Sequence, residues 1–154
     1  MKDYVKELRQ LVGNRPLILT GSCVFLLDSE GRLLLNRRTD NGFWGVPGGM
    51  MELHESLEET ARRELREECG ITVETLQLLD VFSGPELCYT YPNGDPVQNV
   101  TAAYIAQGYQ GDLQADNTET SEVRFFALDD LPPESEIAPP IRVIVQAFLK
   151  HQNR

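Results

Sequence analysis

The sequence has few cysteines and no long apolar run, and both features narrow the class of protein. Its three cysteines, Cys23, Cys69 and Cys88, are widely spaced and form no Cys-x-x-Cys pair, which indicates reduced, packed thiols and a cytoplasmic location. No apolar stretch is long enough to span a bilayer, and the first residues lack a basic segment followed by an apolar run. We therefore expect neither a membrane anchor nor a signal peptide.

Basic side chains are outnumbered by acidic ones. The chain has 14 Lys and Arg residues against 24 Asp and Glu residues, which gives a formal net charge of −10. Such an acidic chain is a poor non-specific partner for nucleic acid or for an anionic membrane. If its substrate is also anionic, the protein needs a local source of positive charge, and a divalent cation would supply one.

The length and the pattern of apolar residues predict one α+β domain. A chain of 154 residues suits a single domain over 1–154, and apolar residues at helical spacing predict an N-terminal helical extension within 1–15. Two apolar runs around the turn at 28–31 predict a β-hairpin. Further strand-like runs occupy 71–83, 87–91, 97–109 and 123–128, and a closing helix occupies 141–152. We expect an α/β/α sandwich in which helices flank a mixed β-sheet.

The run "GGMMELHESLEETARRELREECGI", from Gly48 to Ile71, carries the most chemistry. Ser56 and Glu59 form a predicted capping box, and Gly70 suits the position that ends a helix. On that helix Glu64, Glu67 and Glu68 share an arc of about 100° that borders the apolar stripe.

Two interpretations of the three glutamates are open from helix geometry. Nearby arginines could pair with them on a solvated face, or a hard cation such as Mg²⁺ could turn their mutual repulsion into attraction. The glycines before the helix favour the cation, because glycine lets backbone groups approach a ligand closely.

The same run resembles the Nudix box. The match is carried by nine constrained positions in fixed register: Gly49, Glu55, Arg63, Glu64, Leu65, Glu67, Glu68, Gly70 and Ile71. The order of the flanking segments is also similar to that of Nudix domains, so the resemblance covers nearly the whole chain. It implies a pyrophosphohydrolase that cleaves a nucleoside diphosphate linked to another moiety, with Mg²⁺, or Mn²⁺ in its place, as the cofactor.

The resemblance also implies roles for individual residues. Glu67 and Glu68 would be metal ligands, Glu64 would bind metal or orient the attacking water, and the Gly48 carbonyl would be a backbone ligand. Glu55 and Arg63 would pair and, with Gly49, brace the loop against the helix.

The general base and the substrate-binding arginines stay open. The base is either a glutamate of the box or one on a later loop, where Glu119 and Glu122 are the candidates; each of these two is also an ordinary solvated carboxylate. In proteins of this kind an arginine near Arg37 and Arg38 contacts the substrate, although both would equally suit a surface position.

The substrate is weakly specified. Pro85 lies at a spacing that resembles ADP-ribose pyrophosphatases, whereas Tyr89 resembles dinucleoside polyphosphate hydrolases. We expect ADP-ribose or a nucleotide sugar, with (d)NTP pyrophosphohydrolysis as the alternative. A non-catalytic nucleotide-binding module is less favoured because all three metal-ligand glutamates are present. The amphipathic N-terminal segment and the resemblance together predict a homodimer.

Overall fold

The computed structural model describes residues 3–154, and a mixed sheet of eight strands forms its centre. The strands are β1 (Leu17–Leu27), β2 (Leu33–Arg38), β3 (Trp44–Gly45), β4 (Gly48–Met50), β5 (Gln77–Phe82), β6 (Cys88–Thr90), β7 (Pro96–Gln107) and β8 (Thr120–Phe126). The main path runs β3-β2-β1-β7-β5, while β4 pairs with β1, β6 with β7 and β8 with β2. The pairing of β1 with β7 is parallel, and the other pairings are antiparallel.

Helices cover both faces of this sheet, because successive residues of a strand point to opposite sides. Helix α2 (Leu57–Cys69) packs on one face, where Val24, Leu26 and Leu65 are completely buried. Helix α3 (Pro139–Gln152) packs on the other face, where the Phe25 and Phe148 rings stack at 4.3 Å. The expected α/β/α sandwich with a mixed sheet is therefore confirmed.

Local sequence signals fix the ends of α2 as expected. The Ser56 hydroxyl accepts from the Glu59 amide at 3.1 Å, and the Glu59 carboxylate accepts from the Ser56 amide at 3.0 Å. Gly70 follows the helix with φ of 73°, a left-handed conformation that glycine adopts without steric cost. The capping box and the terminating glycine are both confirmed.

The N-terminal helix α1 (Tyr4–Val12) has no buried residue and is held by polar contacts. The Tyr4 amide donates to Glu52 Oε1 at 2.9 Å. The guanidinium of Arg9 donates to the carbonyls of Arg15 and Pro96 at 2.6 and 2.8 Å. These contacts tie α1 to the loop before α2 and to the start of β7.

Two features differ from the sequence expectations. The Gly- and Pro-rich segment 39–49 predicts a loop with a short extended piece near 44–46, but residues 48–50 form a strand, β4, which pairs with β1 away from the point where β1 pairs with β2. Cys23 and Cys69 are buried, and burial raises the pKa of the Cys23 thiol to about 12. The expectation of a packed thiol is wrong for Cys88, which is exposed because its neighbours Leu87 and Tyr89 take the inward positions.

No helix within residues 3–154 has both the length and the apolar character needed to cross a membrane.

Candidate active site

Helix α2 places two glutamates in the interior and a third beside them. Glu64 and Glu68 are buried, at 9% and 8% exposure, whereas the side chain of Glu67 is 37% exposed. One helical turn separates Glu64 from Glu68, so the two carboxylates lie on the same side of α2 and face the sheet. The arc of carboxylates therefore borders the buried face, as its spacing predicts.

The glycine pair at the start of β4 allows this close packing. A Cβ on Gly48 would overlap the carbonyl oxygen of Ser22, and a Cβ on Gly49 would overlap the carboxylate of Glu64. Neither glycine has a positive φ, so both are required for space. The Gly48 amide donates to Glu68 Oε2 at 3.2 Å, which connects the glycine strand directly to the helix.

Arg63 joins the box residues into one network. It forms two hydrogen bonds with the Glu55 carboxylate, at 2.6 and 3.0 Å, so the ion pair expected from the resemblance is present. Its Nη1 donates to Glu64 Oε1 at 2.7 Å and to Glu67 Oε2 at 3.2 Å, and its Nη2 donates to the Met50 carbonyl at 2.9 Å. Hydrogen bonding to Arg63 lowers the pKa of Glu55 to about 2.

The two buried carboxylates are held at an electrostatic cost. Burial raises the pKa of Glu64. Burial also raises the pKa of Glu68 well above its usual value, and the neighbouring Glu64 carboxylate raises it further. Two acids whose charged forms are disfavoured in this way gain most from a cation placed between them.

These side chains line a pocket that we call the glutamate pocket. Its walls come from α2, β4, α1 and the β6–β7 turn. Its acidic lining residues are Asp3, Glu52, Glu64, Glu67, Glu68, Asp95 and Glu119, and its basic lining residues are Arg9, Arg38 and Arg63. The pocket is therefore acidic, and part of its wall is the N-terminal helix.

The donor set of this pocket fits a hard divalent cation. Carboxylate and carbonyl oxygens are the ligands that Mg²⁺ prefers, and Glu64 and Glu68 offer such oxygens beside Gly48. Across residues 3–154 no three His, Cys, Asp or Glu side chains are already gathered tightly enough to hold a metal ion. The carboxylate of Glu67 accepts from Arg63 Nη1 at 3.2 Å.

The structure places the two candidate arginines of β2 in different pockets, and it does the same for the two candidate glutamates at 119 and 122. Arg38 and Glu119 line the glutamate pocket. Arg37 and Glu122 line a different pocket, which we call the far pocket and which also contains Trp44 and Arg124. Arg37 donates to the Gly42 carbonyl at 2.9 Å, and Glu122 lies 3.7 Å from the Arg124 guanidinium. The structure therefore does not bring Arg37 or Glu122 to the predicted site.

Arg38 is anchored where it lines the pocket. It makes two hydrogen bonds with Asp40, at 2.9 and 2.7 Å, and its guanidinium lies 5.3 Å from the centre of the Tyr91 ring. The bond to Arg38 lowers the pKa of the Asp40 carboxyl. An arginine held in this way presents a fixed positive charge beside the acidic pocket.

A second cleft, the amide cleft, opens beside Glu68. Polar and aromatic side chains share its lining with apolar ones; they are Asn36, Asn41, Tyr89, Tyr91 and Asn99. The Asn41 amide donates to the Tyr89 hydroxyl at 3.3 Å, and the Tyr89 and Tyr91 rings meet edge to face. Glu68 and Arg38 line both cavities, so the two are continuous.

Local sequence patterns do not identify several of the residues that line the two cavities. Asn36 directly follows the buried Leu33–Leu35 run, and a polar residue at a buried position is a weak signal of a special contact. Asp3, Val5 and Arg9 reach the glutamate pocket only through the fold. Asn99 is likewise brought to the amide cleft by the pairing of β7, and Tyr91 by the turn that follows β6.

Comparison with known proteins agrees with this geometry. Residues 18–148 match the family model described as NUDIX domain. An ADP-ribose pyrophosphatase from Methanocaldococcus jannaschii is 30% identical over 131 residues, which covers 83% of this chain and 72% of that protein. A MutT-like protein from Streptomyces ambofaciens is 51% identical over 119 residues, covering 75% and 68%. The crystal structure of a MutT NUDIX hydrolase from Burkholderia pseudomallei superposes with a TM-score of 0.70 at 28% identity, covering 85% and 98%.

Proposed function

Because the chain belongs to the NUDIX family, we propose that it hydrolyses ADP-ribose or a similar nucleotide sugar. It is a diphosphatase that acts on phosphorus-containing anhydrides, as its relatives are. Enzymes of this family generally use divalent cations. The observation that supports the narrower substrate class is the charge of the glutamate pocket.

We propose Mg²⁺ as the cation, with Mn²⁺ as a substitute. Glu64, Glu67 and Glu68 would hold it together with the Gly48 carbonyl. When bound, such a cation neutralises phosphate charge and activates water for attack at phosphorus. The protein supplies the positioning: Arg63 and Glu55 fix the helix against the loop, and the Gly48 amide fixes the Glu68 carboxylate.

The general base that we propose on the later loop is Glu119. It lines the same pocket as the three box glutamates, whereas Glu122 lies in the far pocket. Glu64 remains the candidate from the box, although its bond to Arg63 and its burial restrict its motion. Arg38 would contact the substrate where the two cavities join.

The acidic pocket favours a substrate with two phosphates and an uncharged second moiety. Seven acidic side chains line it, and each of its three arginines is already hydrogen-bonded. Arg9 and Arg63 are held by carbonyl and carboxylate groups of the protein, so within residues 3–154 Arg38 is the one arginine of this pocket that we assign to a substrate phosphate, and a third phosphate would lie against the carboxylates. A sugar can instead use the carboxylates as hydrogen-bond acceptors. The relative from Methanocaldococcus jannaschii is an ADP-ribose pyrophosphatase, which agrees with this class.

The test is a turnover screen of the purified protein with Mg²⁺ and with Mn²⁺. The substrates are ADP-ribose, nucleotide sugars, dinucleoside polyphosphates, NADH, and the common and oxidised (d)NTPs, with products identified by mass. We expect ADP-ribose or a nucleotide sugar to give a kcat/KM at least about tenfold above any (d)NTP, and EDTA to abolish turnover.

Two other outcomes would identify the alternatives. Faster release of pyrophosphate from a (d)NTP would favour the alternative function, (d)NTP pyrophosphohydrolysis. Membership of the NUDIX family supports that alternative. Tight nucleotide binding without turnover at any Mg²⁺ concentration would indicate a binding module.

We also propose a homodimer, supported by exposed apolar side chains on and beside α1. Leu11 is 85% exposed and Ile18 is 72% exposed. Light scattering at high protein concentration should give the mass of a dimer. A monomer mass at every concentration would refute the proposed homodimer.

A further inference from the structure

Asn36 is a buried amide in an otherwise apolar part of β2. It is 5% exposed and follows three buried leucines. It pairs with Gly45 on β3 and with Val123 on β8, so β2 is an interior strand at this point. A buried amide is unfavourable unless its polar atoms find partners. The contacts of Asn36 therefore indicate why the fold tolerates it.

One end of this amide is bonded and the other is not. Nδ2 donates to Glu68 Oε2 at 3.2 Å and to the Thr120 hydroxyl at 3.4 Å. Within residues 3–154 Oδ1 is buried and has no hydrogen-bond partner. Rotating the amide by half a turn would bring Oδ1 against the Glu68 carboxylate, where two acceptors repel. The contact with Glu68 thus determines the orientation of Asn36.

The contact also determines how Glu68 is presented. The Gly48 amide donates to the same oxygen, Oε2, at 3.2 Å, so two donors from two different strands hold one side of the carboxylate. The other oxygen, Oε1, accepts from neither of these two donors, so we take it as the oxygen available to a ligand in the pocket. A carboxylate held at one oxygen by fixed donors is pre-oriented for a ligand at the other.

A bulge in β8 completes the arrangement. Arg37 pairs with Glu122 and Arg38 pairs with Thr120, so Ser121 is an extra residue between these pairs. An extra residue reverses which side chains face inward. As a result Thr120, which is 1% exposed, faces Asn36, and its hydroxyl is a second acceptor for the Asn36 amide beside Glu68.

We infer that Asn36 is a positioning residue that orients Glu68 for a divalent cation. This inference rests on the proposed function, because it assumes that the glutamate pocket holds that cation. Residues that orient a metal ligand affect metal affinity by about 10- to 100-fold. Asn36 acts through Glu68 and touches neither the cation nor the reacting atoms.

The test is calorimetric titration of the full chain with Mn²⁺ in the absence of substrate. Asn36→Leu keeps the approximate volume and removes the donor, and we expect its Mn²⁺ Kd to rise about 10- to 100-fold. Thr120→Val removes only the hydroxyl that accepts from Asn36, and we expect a smaller rise in the Mn²⁺ Kd, of roughly two- to fivefold. The Mg²⁺ concentration for half-maximal turnover should shift in the same order.

Asn99→Leu is the matched control. Asn99 is also a buried amide, at 7% exposure, but its Nδ2 donates to the Leu87 carbonyl at 2.9 Å, and among residues 3–154 it has no hydrogen bond to a carboxylate. We expect this variant to lower Tm as Asn36→Leu does while its Mn²⁺ Kd stays within about twofold of wild type.

The outcomes separate this inference from the proposed function. A folded Asn36→Leu with wild-type Mn²⁺ affinity would overturn the inference alone. If that variant does not fold, an unchanged Kd in Thr120→Val would overturn it in the same way. Absence of Mn²⁺ binding by the wild-type protein would overturn the proposed function and the inference together.

Discussion

The glutamate pocket and the far pocket each receive one arginine from the end of β2 and one glutamate from the segment 119–122, yet they differ in electrostatics. In the glutamate pocket two acids are buried and their pKa values are raised. In the far pocket Glu122 pairs at 3.7 Å with Arg124, and both side chains are about half exposed. Charge and residue type are therefore poor guides to a site, whereas burial of like charges beside one another is a strong one.

The arginines show the same contrast. Arg38 is fixed by two bonds to Asp40 and faces the acidic side chains. Arg37, its neighbour in sequence, lies 5.9 Å from the Trp44 ring centre on the opposite face of β2. Adjacent residues of a strand cannot both face one pocket, so only one of the pair can serve the site.

The sharpest contrast between the pockets should come from Glu67→Gln and Glu122→Gln. Loss of a metal ligand removes several kcal/mol of transition-state stabilisation, so we expect kcat of Glu67→Gln to fall by about 10³-fold or more. Glu122→Gln should stay within about threefold of wild type, because its ion pair is solvated. Steady-state kinetics at saturating Mg²⁺ measures both, and near-normal turnover of Glu67→Gln would refute the metal assignment.

A smaller contrast is expected between Arg38→Met and Arg37→Met. A hydrogen bond to a charged group contributes about 1.5–3 kcal/mol, so Arg38→Met should lower kcat/KM roughly 10- to 100-fold. Arg37→Met should change it by less than about threefold. Circular dichroism of both variants controls for folding. Equal losses in the two variants would mean that neither arginine has a specific role.

The smallest expected effect is on stability: Glu68→Gln should stabilise the protein, whereas the variants above lower its activity. Because the folded-state pKa of Glu68 is raised, the folded protein favours the protonated acid, and stability is lost as pH rises through that pKa. Without metal, Glu68→Gln should therefore have a higher Tm than wild type at pH 8. Each kcal/mol of added stability raises the Tm of a chain of this size by about 2–4 °C. The difference should shrink below pH 4.5, where the carboxyl is protonated in both folded and unfolded states.

Glu122→Gln again provides the comparison for that measurement. Its Tm should follow wild type within about 1 °C from pH 4 to pH 8, because an exposed pair contributes little. Added Mg²⁺ should raise the Tm of wild type more than that of Glu68→Gln, since a cation that binds only the folded state stabilises it. A Glu68→Gln variant that is less stable than wild type at pH 8 would contradict this reading of the pocket.

Much of the site could be predicted because its signals are local in sequence. The capping box, the terminating Gly70 and the spacing of Glu64, Glu67 and Glu68 all lie within one helix and its ends. The glycines of β4 were also recognisable, although the reason for them is the contact of Gly49 with the Glu64 carboxylate. Helical periodicity alone placed the glutamates beside the buried face.

The remaining parts depend on contacts between distant segments. The bulge at Ser121 decides that Thr120 faces inward, and no turn residue or glycine marks it. The choice of Glu119 over Glu122 as a pocket residue follows from how that segment meets β2. The contribution of α1 to the pocket rests on the bond from Arg9 to the Pro96 carbonyl, 87 residues away. Sequence periodicity carries no information on such pairings.

Binding of a divalent cation in the glutamate pocket can be measured by Mn²⁺ titration of the double variant Glu64→Gln/Glu68→Gln beside wild type and Glu122→Gln. We expect the same Kd for wild type and Glu122→Gln, and no measurable binding by the double variant. Binding of Mn²⁺ by a folded double variant with the wild-type Kd would contradict it.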